Sequence, residues 1–271
     1  MNLARVAQIL GMTESRLQGL QETIIRESAW PEPRLIRFEK EASGVEAGTV
    51  VFENGDIVFG YPKIRRPLFL APAIERHFSG AVAVEEKMNG HNVRILSVSG
   101  ETVALTRGGF ICPYSTEVAR RLIEEEIFEK NPNLVLCGEM VGPENPYVAK
   151  EIYPTDSIDF YLFDVAEKNR KGTAGVHETH ELAERFGLKA TTFLGQFQKD
   201  VAAEKIRQIV LRLGRQGREG VVLKDPENMV SPIKYTSSAT NCSDISIGFR
   251  YYNDYATDFF LSRVVREGFQ S

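Results

Sequence analysis

The six residues EEKMNG at positions 85–90 place a lysine directly before a turn signal. Apolar residues 81–84 precede them and predict a short buried strand, and residues 91–98 alternate like a second strand. Asn-Gly between two strand patterns predicts a hairpin turn with positive backbone dihedrals. We therefore expect Lys87 at the end of a rigid strand, with its amine facing a pocket built by the sheet.

Length and composition indicate an ordinary soluble globular protein with room for one large domain and a smaller one. The chain has 271 residues, of which 26% are charged and 42% hydrophobic. No apolar run reaches membrane-spanning length and no signal pattern opens the sequence, so we expect no membrane partner. The three cysteines are far apart and odd in number, which predicts neither a disulfide framework nor a zinc site and favours a cytoplasmic location.

The pattern along the chain predicts an α+β protein in three parts. Residues 1–65 form a small helix-and-hairpin domain, with helices at 3–10 and 14–25 and a hairpin around Asn54-Gly55. Residues 66–240 form the main domain, and residues 241–271 form a helical carboxy-terminal segment. Within the main domain, strand patterns dominate to residue 105 and recur at 134–139, 158–165 and 220–224, while helices are predicted at 115–130, 177–186 and 201–214.

The two predicted amino-terminal helices are spaced like a helix-turn-helix, with Thr13 or Ser15 as the cap. The second helix, which would enter DNA, carries one arginine against two glutamates over residues 14–23. Helical packing is the better interpretation, but a nucleic-acid-binding regulator that uses this helix pair remains an alternative of a different class. The net charge of −4 provides no overall basic surface, so any nucleic-acid surface must be local.

Charged residues follow one another at the ends of the predicted strands. Any one of them alone is best interpreted as a surface charge, but the whole set in this order is much harder to obtain by chance. In chain order the set is Lys87, Arg107, Glu139, Phe163-Asp164, Glu219 to Lys224, and Lys234.

This set resembles the covalent nucleotidyltransferase superfamily of ATP-dependent DNA ligases, RNA ligases and mRNA capping enzymes. Residues 87–90 resemble the nucleophile motif Lys-x-Asp-Gly, residues 137–139 and 163–164 the third motif and its aromatic companion, residues 219–224 the fourth motif and residues 232–235 the fifth. Within the superfamily, residues 85–94, 60–66 and 250–253 are most similar to archaeal-type ATP-dependent RNA ligases. Asn89 stands where most of the superfamily has aspartate, a change that these archaeal-type ligases share.

The resemblance implies antiparallel sheets around an ATP cleft and a three-step reaction. ATP would adenylylate Lys87, AMP would pass to the 5′-phosphate of a single-stranded RNA, and a 3′-hydroxyl would displace AMP to join or circularise the strand. A lysine nucleophile must be uncharged to attack, and neighbouring cations favour the neutral amine. Lys224, Lys234 and a bound Mg²⁺ would supply that positive field and offset charge on the phosphate oxygens.

The same resemblance assigns further roles. Phe163 offers a flat apolar face for adenine, and Arg107, with Asn92 and Arg94, would bind ribose or phosphate. Glu139 and Glu219 are hard oxygen ligands for Mg²⁺ or Mn²⁺, directly or through water. The predicted nucleotide-binding set is Glu85, Glu86, Asn92, Arg94, Arg107, Glu139, Phe163, Glu219, Lys224 and Lys234, and the predicted RNA-strand residues are Lys63, Arg65 and Arg66.

The segment after Lys234 separates the family alternatives. DNA ligases and capping enzymes are expected to continue into an OB-fold of five strands, whereas 37 residues with a helical pattern follow Lys234 here. This favours an RNA ligase over the runner-up, a DNA ligase acting on nicks. Archaeal-type RNA ligases usually carry a carboxy-terminal domain used in dimerisation, so a homodimer is a possible assembly. The resemblance implies that residues 241–271 correspond to a shortened form of that domain, either because this chain is truncated or because this branch lacks the rest.

Overall fold

The computed structural model describes residues 2–23, 25–27, 33–142, 153 and 157–237. Within these ranges the chain forms seven helices, α1 Leu3–Ile9, α2 Glu14–Thr23, α3 Leu70–His77, α4 Pro113–Leu122, α5 Glu126–Lys130, α6 Val176–Arg185 and α7 Lys199–Arg215. The same residues form thirteen strands, β1 Ile25–Glu27, β2 Leu35–Phe38, β3 Val50–Phe52, β4 Ile57–Val58, β5 Val82–Lys87, β6 His91–Val98, β7 Glu101–Thr106, β8 Leu134–Val141, β9 Asp159–Glu167, β10 Lys189–Ala190, β11 Phe193–Phe197, β12 Gly220–Lys224 and β13 Ile233–Thr236.

The chain divides into two compact units. The first unit comprises Met1–Lys63, Gly90–Val148 and Thr155–Ala190, and the second comprises Ile64–Asn89, Ala149–Pro154 and Thr191–Ser271. The predicted α+β class with antiparallel sheets is confirmed, since only the short pairing of β10 with β9 is parallel among the described strands. The predicted domain boundaries at residues 65 and 240 stay a prediction.

An amino-terminal sheet with strand order β1-β2-β3-β4 packs against α1 and α2 in the first unit. Both helices contribute buried apolar side chains to one cluster with the sheet, including Val6, Leu17 and Leu20. The predicted β3–β4 hairpin is confirmed, with Val51 opposite Ile57 and Gly55 at a φ of 89° in the turn. Packing against this sheet therefore explains the apolar faces of both helices.

A five-stranded sheet with order β10-β9-β8-β6-β7 forms the rest of the first unit. Helices α4, α5 and α6 contribute to its core, where Val118 and Phe128 pack with Ile95 and Leu136. Instead of the single helix predicted over 115–130 there are two, because the chain is extended at Ile123 after α4.

A buried arginine joins the two sheets of the first unit. The side chain of Arg94, on β6, is 1% exposed, and its guanidinium donates to the carbonyls of Phe59, Gly48 and Thr106 at 2.5, 2.8 and 3.1 Å. Burial lowers the pKa of Arg94 to about 10, so the side chain stays charged at neutral pH. Because these carbonyls flank β3, β4 and β7, one charged group fixes the amino-terminal sheet to the larger one.

The second unit is a four-stranded sheet with order β11-β5-β12-β13, covered on one face by α3 and α7. Val84 of β5 lies opposite Leu223 of β12, and both face Ile206 and the rest of the helical core. Strand patterns were predicted to dominate up to residue 105, which is wrong for α3. Its Pro72 lies in the first helical turn, where a missing N–H costs little.

The predicted hairpin at residues 87–91 is also wrong. Strand β5 pairs with β11 and β12 in the second unit, whereas β6 pairs with β7 and β8 in the first. Neither Asn89 nor Gly90 has a positive φ. The helix predicted at 244–269 lies outside the described residues. No helix in the described part of the chain is long and apolar enough to cross a membrane.

The buried arginine yields a stability prediction. We expect Arg94→Met to lower the free energy of unfolding in urea by about 3 kcal/mol, because three buried carbonyls lose a charged donor. The control is Arg120→Met, since Arg120 pairs with Glu101 through side chains that are 43% and 71% exposed, and we expect a change within about 0.5 kcal/mol there. A wild-type urea midpoint for Arg94→Met would contradict the structural role.

Candidate active site

Strand register brings three lysines to one face of the second unit's sheet. Lys87 is the last residue of β5, as the sequence predicts, and lies opposite Gly220. Lys224 lies opposite Ala83 on that same face, and Lys234 lies opposite Val222, whose other neighbour is Glu85. Because side chains alternate along a strand, the helix-covered core lies on the other face.

Three consecutive charged residues of β5 each form an ion pair with a residue of the 218–224 segment. Glu85 contacts Lys224 at 2.7 Å, Glu86 contacts Arg218 at 2.8 Å and Lys87 contacts Glu219 at 2.6 Å. The Glu85–Lys224 pair is the most enclosed, with side chains 2% and 7% exposed. Removing one partner of such a pair leaves a buried charge without compensation, so each pair constrains both strands.

The backbone after the nucleophile candidate is held by a tyrosine that the sequence analysis did not single out. The N–H of Asn89 donates to the Tyr153 hydroxyl at 2.8 Å, across 64 residues of chain. The Arg218 guanidinium lies 4.6 Å from the centroid of the Tyr153 ring. Burial raises the pKa of Tyr153, so its hydroxyl is neutral at physiological pH. No local sequence signal indicates this contact, because it depends on tertiary structure alone.

In the first unit, Glu139 and Asn92 lie opposite each other on β8 and β6. Oε1 of Glu139 accepts a hydrogen bond from the N–H of Gly90 at 3.1 Å. The buried Oδ1 of Asn92 accepts no hydrogen bond from any residue that the structure describes. A buried acceptor without a donor carries an energetic cost, which a ligand hydroxyl can relieve.

The aromatic residue predicted to face adenine is braced by a neighbour. The ring of Phe163 packs edge-on against Tyr61, with centroids 5.1 Å apart and an interplanar angle of 66°. The Tyr61 hydroxyl donates to the carboxylate of Asp164, which is 4% exposed. Tyr61 lies in the stretch 60–66, which carries the family resemblance. That stretch was used as a whole in the sequence analysis, and no role was predicted for Tyr61.

The remaining predicted arginines and lysines differ in surroundings. Arg107 is exposed and donates to the carbonyl of Pro62 at 3.4 Å, whereas Arg94 is buried on three carbonyls. Lys63 and Arg65 are exposed and Arg66 is half-buried. In the second unit, the N–H of Lys234 donates to the carbonyl of Arg65 at 2.9 Å. Nucleotide binding by Arg94 and RNA binding by residues 63, 65 and 66 stay predictions.

The donor set is compatible with a magnesium ion but not with an enclosed metal cage. Among the described residues, no group of three or more His, Cys, Asp or Glu side chains could hold a metal. Mg²⁺ keeps several water ligands and binds proteins through one or two carboxylates together with substrate phosphates. Glu139 and Glu219, the predicted ligands, supply single carboxylates of this kind.

Comparison with known proteins assigns the family. Residues 80–236 match the model of the RNA ligase family, and residues 247–271 match the Pab1020-type ligase C-terminal region. The chain therefore belongs to the RNA ligase family, as the motifs predicted. An uncharacterized protein of Methanocaldococcus jannaschii is 40% identical over 277 residues, which cover 100% of this chain and 70% of the relative.

Solved structures agree with this assignment. An archaeal ATP-dependent RNA ligase superposes with a TM-score of 0.89 at 41% identity, covering 100% of this chain and 73% of that one. A putative ATP-dependent DNA ligase from Aquifex aeolicus gives 0.84 at 32% identity, covering 93% and 70%. A Naegleria gruberi RNA ligase gives 0.55 at 20% identity, covering 67% and 57%, and shows the fold alone. The DNA-ligase alternative is less well supported than the RNA-ligase assignment.

Gly90 gives a prediction that separates close packing from turn geometry. A Cβ at Gly90 would lie 2.2 Å from the carbonyl oxygen of Met140, so we expect Gly90→Ala to lower the free energy of unfolding by about 2 kcal/mol. The control Gly80→Ala meets no atom within 4 Å and should leave stability within about 0.5 kcal/mol in the same urea titration. Equal stabilities of the two variants would rule out the close approach.

Proposed function

We propose that this chain is an ATP-dependent RNA ligase in which Lys87 carries AMP from ATP to the 5′-phosphate of a single-stranded RNA. The lone pair of Lys87 Nζ forms a bond to the α-phosphorus, the bond to pyrophosphate breaks, and the nitrogen loses a proton to solvent. An oxygen of the RNA 5′-phosphate then displaces the lysine, which regains a proton. A 3′-hydroxyl finally attacks the 5′-phosphorus of the adenylylated end and loses its proton to solvent, the phosphoanhydride bond breaks, and AMP leaves.

The observation that carries this proposal is the ion pair of Lys87 with Glu219 on the face that also carries Lys224 and Lys234. In the resting chain the carboxylate of Glu219 holds the Lys87 side chain in this ion pair at 2.6 Å. Transfer of Glu219 to a ribose hydroxyl or to a metal would leave the amine among cations, and cations favour its neutral form. In this proposal Glu219 keeps the Lys87 amine engaged until ATP binding draws the carboxylate away.

Lys224 and Lys234 are proposed to offset negative charge on the α-phosphate and on the departing pyrophosphate. Glu85 positions Lys224 through the enclosed ion pair at 2.7 Å, and Glu86 positions Arg218 through its contact at 2.8 Å. Glu85 therefore acts on the nucleotide indirectly, by aligning Lys224. Glu86 alternates to the opposite face of β5, so its predicted nucleotide contact stays a prediction.

The remaining nucleotide ligands are proposed from the family motifs. Phe163 stacks on adenine, Asn92 accepts a hydrogen bond from a ribose hydroxyl through Oδ1, to which no described residue donates, and Arg107 binds ribose or phosphate. Glu139 and Glu219 would hold Mg²⁺ or Mn²⁺, directly or through water. A bound Mg²⁺ supplies positive charge to the phosphate oxygens.

The RNA strand is proposed to contact Lys63, Arg65 and Arg66 by phosphate charge. A homodimer and a cytoplasmic location belong to the same proposal. The homodimer rests on the family's carboxy-terminal domain, and the location rests on the three widely spaced cysteines of the sequence, which predict no disulfide framework.

Covalent labelling tests the first step. We expect wild-type protein incubated with Mg²⁺ and α-labelled ATP to retain the label in denaturing electrophoresis, and α-labelled GTP to give at least about tenfold less. Lys87→Ala should abolish the label because no other amine occupies that position, while Lys205→Ala, an exposed lysine of α7, should leave it unchanged. Labelling that persists in Lys87→Ala would refute the assignment of the nucleophile.

A substrate panel separates RNA sealing from DNA sealing. We expect a 5′-phosphorylated single-stranded RNA to be joined or circularised at least about tenfold faster than single-stranded DNA or a nicked duplex, in keeping with the family. Preferred sealing of the nicked duplex would replace the RNA-ligase proposal with the DNA-ligase alternative while leaving the Lys87 assignment intact.

A further inference from the structure

An exposed aromatic ring with arginines beside it lies on the first unit, outside the residues assigned so far. The ring of Phe110, in the loop after β7, is 52% exposed. The guanidinium of Arg37, on β2, lies over this ring at 3.9 Å from its centroid. Arg26 of β1 lies directly opposite Arg37 in the sheet. We call Arg26, Arg37 and Phe110 the Arg–Phe surface.

Local structure fixes Phe110 in its exposed position. Its carbonyl accepts from the N–H of Thr106 at 2.8 Å, and its own N–H donates to the Thr106 hydroxyl at 3.2 Å. Gly109 has a φ of 78°, and a Cβ there would lie 2.7 Å from the carbonyl oxygen of Gly48. The loop is therefore pressed against the start of β3, and the exposure of Phe110 follows from a defined turn.

The charge of this surface favours an anionic partner. Like charges directly opposite each other on neighbouring strands repel, so the pair of Arg26 and Arg37 has a cost. The carboxylate of Glu39 lies 3.5 Å from Arg26, but both side chains are more than 40% exposed and such pairs contribute little. Arg107, exposed in the same loop as Phe110, adds a third positive charge in a chain whose net charge is −4.

We propose that the Arg–Phe surface binds the single-stranded RNA substrate, with one unpaired base stacked on Phe110 and Arg37 and with Arg26 on a neighbouring phosphate. Unpaired bases stack on aromatic rings and on guanidinium planes, and the arginine fork matches phosphate oxygens. A base inside a duplex has no free face for the ring, so the surface selects single strands. This inference rests on the proposed function, because it assigns the strand that the ligase acts on.

Two variants, each with a matched control variant, separate the stacking contribution from the charge contribution. Phe110→Leu keeps an apolar side chain and removes the aromatic face, and Phe110→Tyr restores it. Arg37→Gln removes one charge, and Arg212→Gln removes the same charge from an exposed position in the last turn of α7. The probe is a fluorescent 5′-phosphorylated oligouridylate, and fluorescence anisotropy in a salt series gives its Kd. Far-ultraviolet circular dichroism confirms that each variant is folded.

We expect Phe110→Leu to raise the Kd about tenfold at every salt concentration, because a stacked base is lost without loss of charge. Arg37→Gln should raise the Kd and also reduce the slope of log Kd against log salt by about 0.7. Phe110→Tyr and Arg212→Gln should bind like wild type. Lysyl-AMP formation, which needs no RNA, should stay within about twofold of wild type in all four variants.

Wild-type affinity for the oligouridylate in Phe110→Leu would overturn the proposal, as would an equal loss of affinity for duplex DNA. A loss of affinity in Phe110→Tyr equal to that in Phe110→Leu would also overturn it, because an aromatic face would then not be what binds the base. If wild type forms no lysyl-AMP or seals no RNA, the proposed function fails. The anisotropy series still decides whether the surface binds single strands, so the two failures are distinct.

Discussion

The antiparallel ladder between β5 and β12 is the constraint on which the candidate site depends. It places Lys87 opposite Gly220, so Glu219, the residue before that glycine, reaches the lysine at 2.6 Å. A Cβ at residue 220 would lie 2.3 Å from the carbonyl oxygen of Tyr235, so glycine is required where β12 meets β13. The Glu-Gly pair of the fourth motif thus has two physical tasks: the glutamate holds Lys87 in an ion pair, and the glycine lets three strands approach.

This ladder also explains why the first and fourth motifs belong together. Residues 85–87 place three charged side chains in a strand whose other residues are apolar and buried. A buried charge is costly unless a group of opposite charge lies beside it. Arg218, Glu219 and Lys224 supply those partners from a segment more than 130 residues away. The alternation of strand side chains sends Glu85 and Lys87 to one face and Glu86 to the other, so the ion pairs hold β5 from both sides.

The sequence allowed strands, motif residues and the local β3–β4 hairpin to be predicted, but not the long-range partners of the strands. Strand β12 was predicted with its observed bounds, because an apolar run between glycine and lysine is a local signal. The prediction of a hairpin at Asn89-Gly90 was wrong, because strand pairing is a nonlocal property. Glycine is needed at residue 90 for its close approach to the carbonyl of Met140 and not for a turn. Tyr153 could not be predicted for the same reason, since its contact with Asn89 spans 64 residues.

Arg94 and Arg107 show how surroundings separate two residues of one type. Arg107 is exposed beside the Arg–Phe surface, while Arg94 is enclosed and bonds to the carbonyls of Gly48 and Thr106. Those two carbonyls lie next to the two segments that form the Arg–Phe surface. Gly48 precedes β3 of the amino-terminal sheet, and Thr106 begins the loop that carries Phe110. The buried arginine therefore holds the sheet of Arg37 against the loop of Phe110. The amino-terminal sheet thus contributes Arg26 and Arg37 to the proposed RNA-binding surface, and the loop after β7 contributes Phe110. The surface therefore depends on the packing of that sheet against the larger one.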